Sequence, residues 1–307
     1  MITFRPKPED FMPVALGRQE AEALTRPPIS YWQDVWMRFR KNRLATIGLT
    51  VLAIMTVMAI VGPIISPWDY WKQDYGHFNE FMSKRHWFGT DPLGRDLFTR
   101  LWYGTRISIF IGIMAALIDL AIGVVYGGIA GYFGGIVDDV MMRIVDILYA
   151  IPYLLVVILL LVVMEPGLWT IIIAMSITGW VGMARLVRGQ ILQLREMEYV
   201  LAARSMGTPP NRIIARHLVP NTMGVVLVNL TMTIPGAIFG EAFLSFIGLG
   251  VPMPLASLGT IANEGYQVLK IYPHCMIIPA IAISLLILSF NFVGDGLRDA
   301  LDPRLRQ

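Results

Sequence analysis

The chain is poor in the residues on which most enzymatic and metal sites depend. It has a single cysteine, Cys275, so it can form neither an internal disulfide nor a cysteine-based metal site. Its four histidines are scattered, and it has no H-E-x-x-H or G-x-S-x-G motif. No lysine directly follows a glycine, which excludes the G-x-x-x-x-G-K-[ST] phosphate-binding loop. We therefore expect this chain to bind no metal or cofactor and to be no enzyme, so that any nucleotide chemistry must come from another protein.

Charge is scarce as well. Asp, Glu, Lys and Arg make up 15% of the residues and apolar residues 55%, whereas soluble domains have about 25% charged residues. Several apolar stretches are long enough to cross about 30 Å of hydrocarbon. They cover residues 44–66, 106–132, 144–164, 168–186, 218–241 and 276–295. These features predict an all-α integral membrane protein with six transmembrane helices.

The distribution of Lys and Arg predicts the orientation. Six spans place both ends of the chain on one side of the membrane. That side carries 18 of the 25 Lys and Arg residues, and the other side carries 7. Because cytoplasmic loops are enriched in Lys and Arg, we expect both termini in the cytoplasm. The predicted external loop is unusually basic, and we expect Glu80, Asp91 and Asp96 to offset its cations.

The polar residues before the first span contain an amphipathic segment, Ser30–Lys41. Ser30 and Gln33 fit a capping box, and Trp32, Trp36 and Phe39 share one face, so we expect a helix lying at the membrane interface. The predicted parts of the chain are a cytoplasmic tail at 1–43, a first span at 44–66, an external loop at 67–105, a five-helix core at 106–297 and a cytoplasmic tail at 298–307.

The second predicted span has glycines at strict i+4 spacing, Gly123, Gly127, Gly131 and Gly135. One face of this helix therefore has almost no side chains, so another helix can pack very close to it. We interpret the glycines as packing residues rather than ligands.

Three polar residues in the predicted spans are candidates for a translocation pathway, namely Asp119, Asn229 and Glu241. A carboxylate at bilayer depth costs about 2.5–3.5 kcal/mol on insertion scales, so Asp119 is a functional candidate. Alternatively, Asp119 is protonated or hydrogen-bonded to a neighbouring helix. We expect it to serve packing or gating rather than peptide binding. After Glu241, Gly and Pro residues interrupt an apolar stretch up to about Tyr272, which predicts a re-entrant external cap or an ordinary loop.

The loop at 196–221 connects two predicted spans. Gly207 can take the left-handed conformation that closes a first short helix, and Thr208 and Pro209 suit the start of a second. Tyr199 and Met206 are predicted to share one face with Ala203. Either this basic loop lies on the cytoplasmic lipid surface, or its small residues receive another protein.

The spacing of certain residues in this loop is specific. Ala202-Ala203 is followed, after three further residues, by Gly207, and Leu218-Val219-Pro220 follows near the end of the loop. It resembles the "EAA" loop of the permease subunits of binding-protein-dependent ABC importers. Leu201 stands where that loop has an acidic residue, and His217 stands where it has isoleucine. Both departures are compatible with the peptide-importer branch, which the wording Glu198-Tyr199-Val200 also resembles.

Three further stretches resemble dipeptide and oligopeptide importer permeases, namely His86–Asp96, Val187–Gln190 and Asn291–Pro303. The resemblance implies the type I ABC importer permease fold and a subunit that moves peptides, above all oligopeptides, into the cytoplasm by alternating access. It implies a bacterial cytoplasmic membrane and four kinds of contact: a second permease subunit, two ATPase subunits that bind ATP and Mg²⁺, an external binding protein, and lipid. The residues that it assigns to ATPase coupling are Glu198, Tyr199, Ala202, Ala203, Arg204, Met206, Gly207 and Pro220.

Other functions stay open. A dipeptide or nickel permease of the same broad family fits the same motifs. A secondary transporter would show an internal repeat and several charges near the membrane midplane, and we find no clear repeat and one such residue, Asp119. An enzyme within the membrane is the weakest alternative, because the chain lacks the catalytic motifs named above.

Overall fold

The computed structural model describes residues 30–165 and 167–301, and this part of the chain is almost entirely helical. Most of the predicted N-terminal tail and the end of the C-terminal tail lie outside the described residues. The helices are α1 Tyr31–Lys41, α2 Arg43–Ile65, α3 Leu97–Phe133, α4 Gly135–Ala150, α5 Tyr153–Val163, α6 Leu168–Leu194, α7 Glu198–Ser205, α8 Pro210–Ile213, α9 Val219–Leu244, α10 Leu258–Gln267 and α11 His274–Leu301.

Within the described residues, five helical stretches are long and apolar enough to cross a membrane. They are α2, α3, α6, the stretch that begins at α8 and includes α9, and α11. A sixth span is formed if α4 and α5 count as one, although the two are bent by 81°. The fold therefore agrees with the predicted number of spans, but several begin earlier than the hydropathy indicated. In particular, α3 begins at Leu97, inside the predicted external loop.

The third span is broken at Ile151 and Pro152. Proline has no backbone N–H and disfavours helical geometry at the preceding residue. Ile151 is accordingly extended, with φ −82° and ψ 127°. At its other end the span starts at Gly135, whose φ of +52° and open surroundings separate it from the glycine face of α3.

The centre of the molecule is the contact between α3 and α6. A Cβ atom at Gly123 would lie 2.6 Å from the Cβ atom of Met183, and one at Gly127 would lie 3.0 Å from the backbone nitrogen of Arg188. Gly131 likewise faces α6. The glycine face of α3 thus allows the backbone of α6 to approach more closely than any side chain would permit.

Helix α1 packs on the protein rather than lying free at an interface. Val35 and Phe39 are buried in a cluster with residues of α2 and α11, whereas Trp32 and Trp36 are exposed. The rings of Trp36 and Phe39 stack with centroids 5.8 Å apart, as expected for residues on one face, but only Phe39 is buried in the protein. Val35 and Phe39 face the end of α11, where they pack in one cluster with Ala300 and Leu301.

The segment between α2 and α3 contains a buried ion network. The Arg95 guanidinium lies 2.7 Å from the carboxylate oxygens of both Asp91 and Glu264, and Arg100 lies 2.9 Å from Glu264 and 3.3 Å from Asp91. Both arginines are almost fully buried. Asp96 instead accepts from His86 at 3.0 Å and caps α3. Arg95 and Arg100, two cations of the predicted external loop of which Arg100 lies in α3, are thus neutralised by Asp91 and by Glu264 of α10.

A second polar centre in the same segment is Asp74. Its carboxylate lies 2.9 Å from Arg85 Nη2 and 3.1 Å from His77 Nδ1. The hydrogen bond with His77 is the main reason why the pKa of Asp74 lies below its usual value, and the N–H of Gly76 and the charge of Arg85 act in the same direction against desolvation. Asp74 therefore stays ionised at neutral pH and ties together a segment without helices.

Candidate coupling surface and membrane-embedded polar residues

Helix α7 ends in a Schellman motif. Gly207 has φ +76°, its N–H donates to the Arg204 carbonyl at 3.0 Å, and the Thr208 N–H donates to the Ala203 carbonyl at 3.1 Å. This pair of bonds satisfies two carbonyls at the helix end and requires a left-handed residue between them. Glycine takes that conformation without the steric cost that a Cβ atom brings.

The second short helix starts later than predicted. Pro209 is its N-cap and Pro210 its first residue, so Thr208 does not cap it. Helix α8 then continues without a break through a π-helical turn, Ile214–Leu218, into α9. Pro220 is the second residue of α9. The loop is thus continuous with a membrane span.

Helix α7 is fixed to the spans by its inner face. Val200 and Ala203 are buried, and they pack in one cluster with Ile191 of α6, Ile213 of α8 and Leu218. Ala203 is therefore covered by the protein's own core and does not belong to the exposed surface, whereas Tyr199 and Met206, which the periodicity places on the same face, are exposed. The periodicity indicated which residues lie close together on the helix, but it could not indicate which of them the protein's own core would cover.

The opposite side of α7 is open. Tyr199, Leu201, Ala202, Met206 and Gly207 are exposed, Met206 to 78% of its surface. We call these five residues the outer surface of α7. Glu198 and Arg204 are exposed beside it. Tyr199 and Met206 are of residue types that are enriched at protein interfaces, and Ala202 and Gly207 leave room for a partner to approach closely.

The arginines next to this surface are engaged within the chain. Arg195 donates to the Gly131 carbonyl at 3.1 Å and pairs with Glu196 at 2.9 Å. The Arg204 guanidinium lies 5.3 Å from the ring centroid of Tyr132. These contacts hold the loop against α3 and α6, which does not favour a basic loop that merely rests on lipid.

Glu241 does not line a pathway in this structure, contrary to the prediction. It is fully buried, and its carboxylate accepts from the hydroxyls of Ser108 and Ser245, each at 2.7 Å. The Ser257 hydroxyl donates to Ser245 at 3.1 Å, and the Leu258 N–H donates to Ser108 at 3.2 Å. We call these five residues the serine–glutamate cluster. It joins α3, α9 and the start of α10.

The segment after Glu241 is not an ordinary loop. It turns at Gly248, with φ +91°, and returns as α10, which is capped by the side chain of Ser257. Leu258 and Ile261 are buried against α3 and α11. A helix packed between spans in this way fits the predicted cap.

Asn229 lies on the least covered span. Only 17% of the most apolar part of the α8–α9 stretch is buried within the chain, against 56% for α6. Val225, Asn229, Met232 and Phe239 follow one another at helical spacing, and Asn229 is half-buried whereas the other three are exposed. Asn229 is thus the polar member of a face for which the described part of the chain provides no cover.

Asp119 is 6% exposed and lies against the backbone of Gly179 in α6. Its Oδ1 atom has no hydrogen-bond partner among the described residues. The alternative in which a neighbouring helix satisfies this carboxylate through a hydrogen bond therefore finds no support. No hydrogen bond among the described residues joins the side chains of Asp119, Asn229 and Glu241 to one another.

The comparisons with known proteins agree with this architecture. Residues 123–307 match the family described as binding-protein-dependent transport system inner membrane component, and residues 30–82 match the N-terminal TM domain of oligopeptide transport permease C. The chain belongs to the binding-protein-dependent transport system inner membrane component family. The predicted family is thereby confirmed.

Two relatives in Bacillus subtilis (strain 168) are similar over nearly their whole length. The dipeptide transport system permease protein DppC is 55% identical over 290 residues, which cover 94% of this chain and 91% of the relative. The oligopeptide transport system permease protein OppC is 53% identical over 297 residues, which cover 97% of both.

The fold is also similar to a solved permease. The match to the inward-facing MetNI methionine ABC transporter has a TM-score of 0.51 at 22% identity, and it covers 66% of this chain and 96% of that one. At this identity the likeness concerns the fold alone. It confirms the predicted type I ABC importer permease fold.

Proposed function

We propose that this chain is the permease subunit of an ATP-driven importer that moves peptides, above all oligopeptides, into the bacterial cytoplasm. The two Bacillus subtilis relatives, named for dipeptides and for oligopeptides, support peptides as the cargo. Their nearly equal identities do not separate the two lengths. Nickel, the other cargo considered, has no such support from these relatives.

The observation that supports the proposal most directly is the way in which α7 is attached to the membrane spans. Its inner face is buried against α6, and its outer surface is exposed on an arm that continues into α9. A partner that displaces this surface therefore moves two spans with it. We assign the partner as an ATPase subunit, one of two, that binds ATP and Mg²⁺ in place of this chain. ATP-driven movement of α7 would then switch the open side of the pathway by alternating access.

Two further partners follow from the same proposal. The uncovered face of α9, with Asn229 at its centre, suits a second permease subunit that completes the pathway. An external binding protein would deliver the peptide to the side on which α10 and the segment between α2 and α3 lie. Peptide selection would then reside largely in that protein.

Reconstituted uptake tests the function. In proteoliposomes that contain this chain with its partner permease and ATPases, a labelled tripeptide and the binding protein, we expect accumulation above the external concentration only when ATP is present inside. Collapse of the proton gradient should leave the rate unchanged. Uptake that follows the proton gradient and ignores ATP would instead establish a secondary transporter.

Cysteine labelling tests the orientation, with both termini in the cytoplasm. In a Cys275→Ser background, Phe78→Cys should react in intact cells with a reagent that does not cross membranes, because Phe78 is exposed between α2 and α3. Met206→Cys, exposed on α7, should react only after the membrane is permeabilised. Labelling of Met206→Cys in intact cells would reverse the orientation.

A further inference from the structure

A cavity of about 330 Å³ lies where the third span is broken. It is lined by residues 148–153 at the break and by Thr178, Gly179, Val181 and Gly182 of α6. A Cβ atom at Gly182 would meet no atom within 4 Å, so the space continues up to the backbone of α6. The glycines and the 81° bend between α4 and α5 together create this cavity.

Asp119 lies directly behind the wall of the cavity. A Cβ atom at Gly179 would lie 2.6 Å from Asp119 Oδ1, so the carboxylate packs directly against Gly179, which is itself a residue of the lining. Tyr153, also in the lining, is close enough to interact electrostatically with Asp119. Asp119 Oδ1 and Thr178 Oγ1 are both buried and have no hydrogen-bond partner among the described residues.

Within the described part of the chain, the contacts around the cavity add hydrogen-bond acceptors and show no unpaired cation. The last carbonyls of a helix have no partner within the helix and carry a partial negative charge, and α4 ends at the cavity with Ala150. The nearby cation that the contacts show is Arg185, which lies 4.3 Å from the ring centroid of Tyr149 and is neutralised by Asp146 at 2.7 Å. A cation in the cavity would find Asp119 uncompensated.

The volume of the cavity and the residues that line it indicate which kind of cation it could bind. The cavity is at the lower end of the volumes of ligand pockets, about 300–1,000 Å³, and far exceeds the roughly 30 Å³ of a single water molecule. Tyr149 already has the Arg185 guanidinium over its ring, and Tyr153 provides the aromatic ring of the lining that can attract an organic ammonium group. One carboxylate matches one positive charge. We propose that this cavity binds a primary ammonium group, with Asp119 as its counter-ion.

For a peptide, that group is the amino terminus or a lysine side chain, and this part of the inference rests on the proposed function. It also replaces the expectation that Asp119 serves packing or gating. An intramembrane carboxylate normally has an identifiable partner, and the described residues provide this one with neither a hydrogen bond at Oδ1 nor an ion pair. The cargo itself would supply it.

Calorimetric titration of the purified transporter in nanodiscs, without the binding protein, tests the proposal. The probes are n-butylammonium, tri-alanine, N-acetyl-tri-alanine and N-acetyl-tri-alanine with an added lysine. We expect every probe with a free amine to bind, and Asp119→Asn to weaken that binding about 10- to 100-fold, as for loss of a charge-assisted hydrogen bond. Gly182→Leu, which fills the cavity but keeps Asp119, should weaken it similarly. Asp139→Asn, a change at an exposed carboxylate of α4, should not.

Three results would overturn the inference: equal binding to the wild type and to a folded Asp119→Asn, tight binding by N-acetyl-tri-alanine, or full competition by sodium ions. If peptides are taken up but ammonium binding ignores both Asp119→Asn and Gly182→Leu, the inference fails and the proposed function stands. If n-butylammonium binds through Asp119 but no peptide is taken up, the cavity stands and the proposed cargo fails.

Discussion

Replacement of Gly207 by glutamate should abolish peptide uptake without reducing the amount of membrane-inserted protein. A Cβ atom at Gly207 would meet no atom of this chain within 4 Å, so the substitution does not crowd the spans. It places volume and negative charge on the outer surface of α7, where close packing with a partner tolerates neither, and overpacking costs about 1–3 kcal/mol. We expect the binding protein to stimulate ATP hydrolysis no longer, measured together with uptake in reconstituted vesicles.

The matched control for this variant is Gly135→Glu. Gly135 also has positive φ, at +52°, and open space around its Cβ position, and it lies at the same end of the spans. It therefore reproduces the backbone strain and the added charge outside the outer surface of α7. Normal coupling in Gly207→Glu, or an equal loss in Gly135→Glu, would contradict the assignment of the outer surface of α7 as the ATPase contact.

Gly127→Ala should strongly destabilise the folded protein. The added methyl group would meet the Ala184 carbonyl and lie 3.0 Å from both the Arg188 backbone nitrogen and the Val187 Cβ atom. Backbone atoms cannot move aside as the end of a side chain can, so α3 and α6 must separate, at a cost of about 1–3 kcal/mol. A lower apparent melting temperature in detergent and less assembled transporter should result.

Gly128→Ala is the control, since it makes the same change one residue further along the helix. Its Cβ atom would lie 3.5 Å from Ile214 Cγ2 and 3.7 Å from Ile191 Cδ1, which is ordinary contact. Alanine is a better helix former than glycine by about 0.5–1 kcal/mol, so the melting temperature should stay the same or rise. Equal melting temperatures for the two variants would show that the α3–α6 contact does not depend on the missing side chain at Gly127.

Features that repeat along the chain could be predicted from the sequence. Apolar length revealed the spans, and the i+4 spacing of Gly123, Gly127 and Gly131 revealed a face without side chains. Gly207 was predictable because a helix end that needs positive φ selects glycine. The hydropathy could not reveal that the third span bends at Pro152, because α4 and α5 are both apolar and their sum has the length of a span.

Contacts between distant residues could not be predicted. Ser108 and Glu241 are separated by 133 positions, and nothing in the pattern of either span indicates that they meet. A carboxylate near the end of a span was therefore assigned to a pathway, whereas its buried position satisfies it with serine hydroxyls. Ala203 is a second residue whose contacts could not be predicted from the sequence, although its partners are closer along the chain. Small size suits both an internal contact and an external one, and only the position of Ile191 and Leu218 decides between them.

The hydrogen bonds of the serine–glutamate cluster tie α10, which forms the cap, to α3 and α9, so we expect α10 not to move separately from these two spans. Separation of α10 from α9 would break buried hydrogen bonds to Glu241 and its serines and leave polar groups unpaired, at about 1–3 kcal/mol for each group. Since Ser108 belongs to α3, the same bonds also fasten α9 to α3. We therefore expect the cap and these two spans to move as a single body, so that under the proposed function the external opening would form between this chain and the second permease subunit.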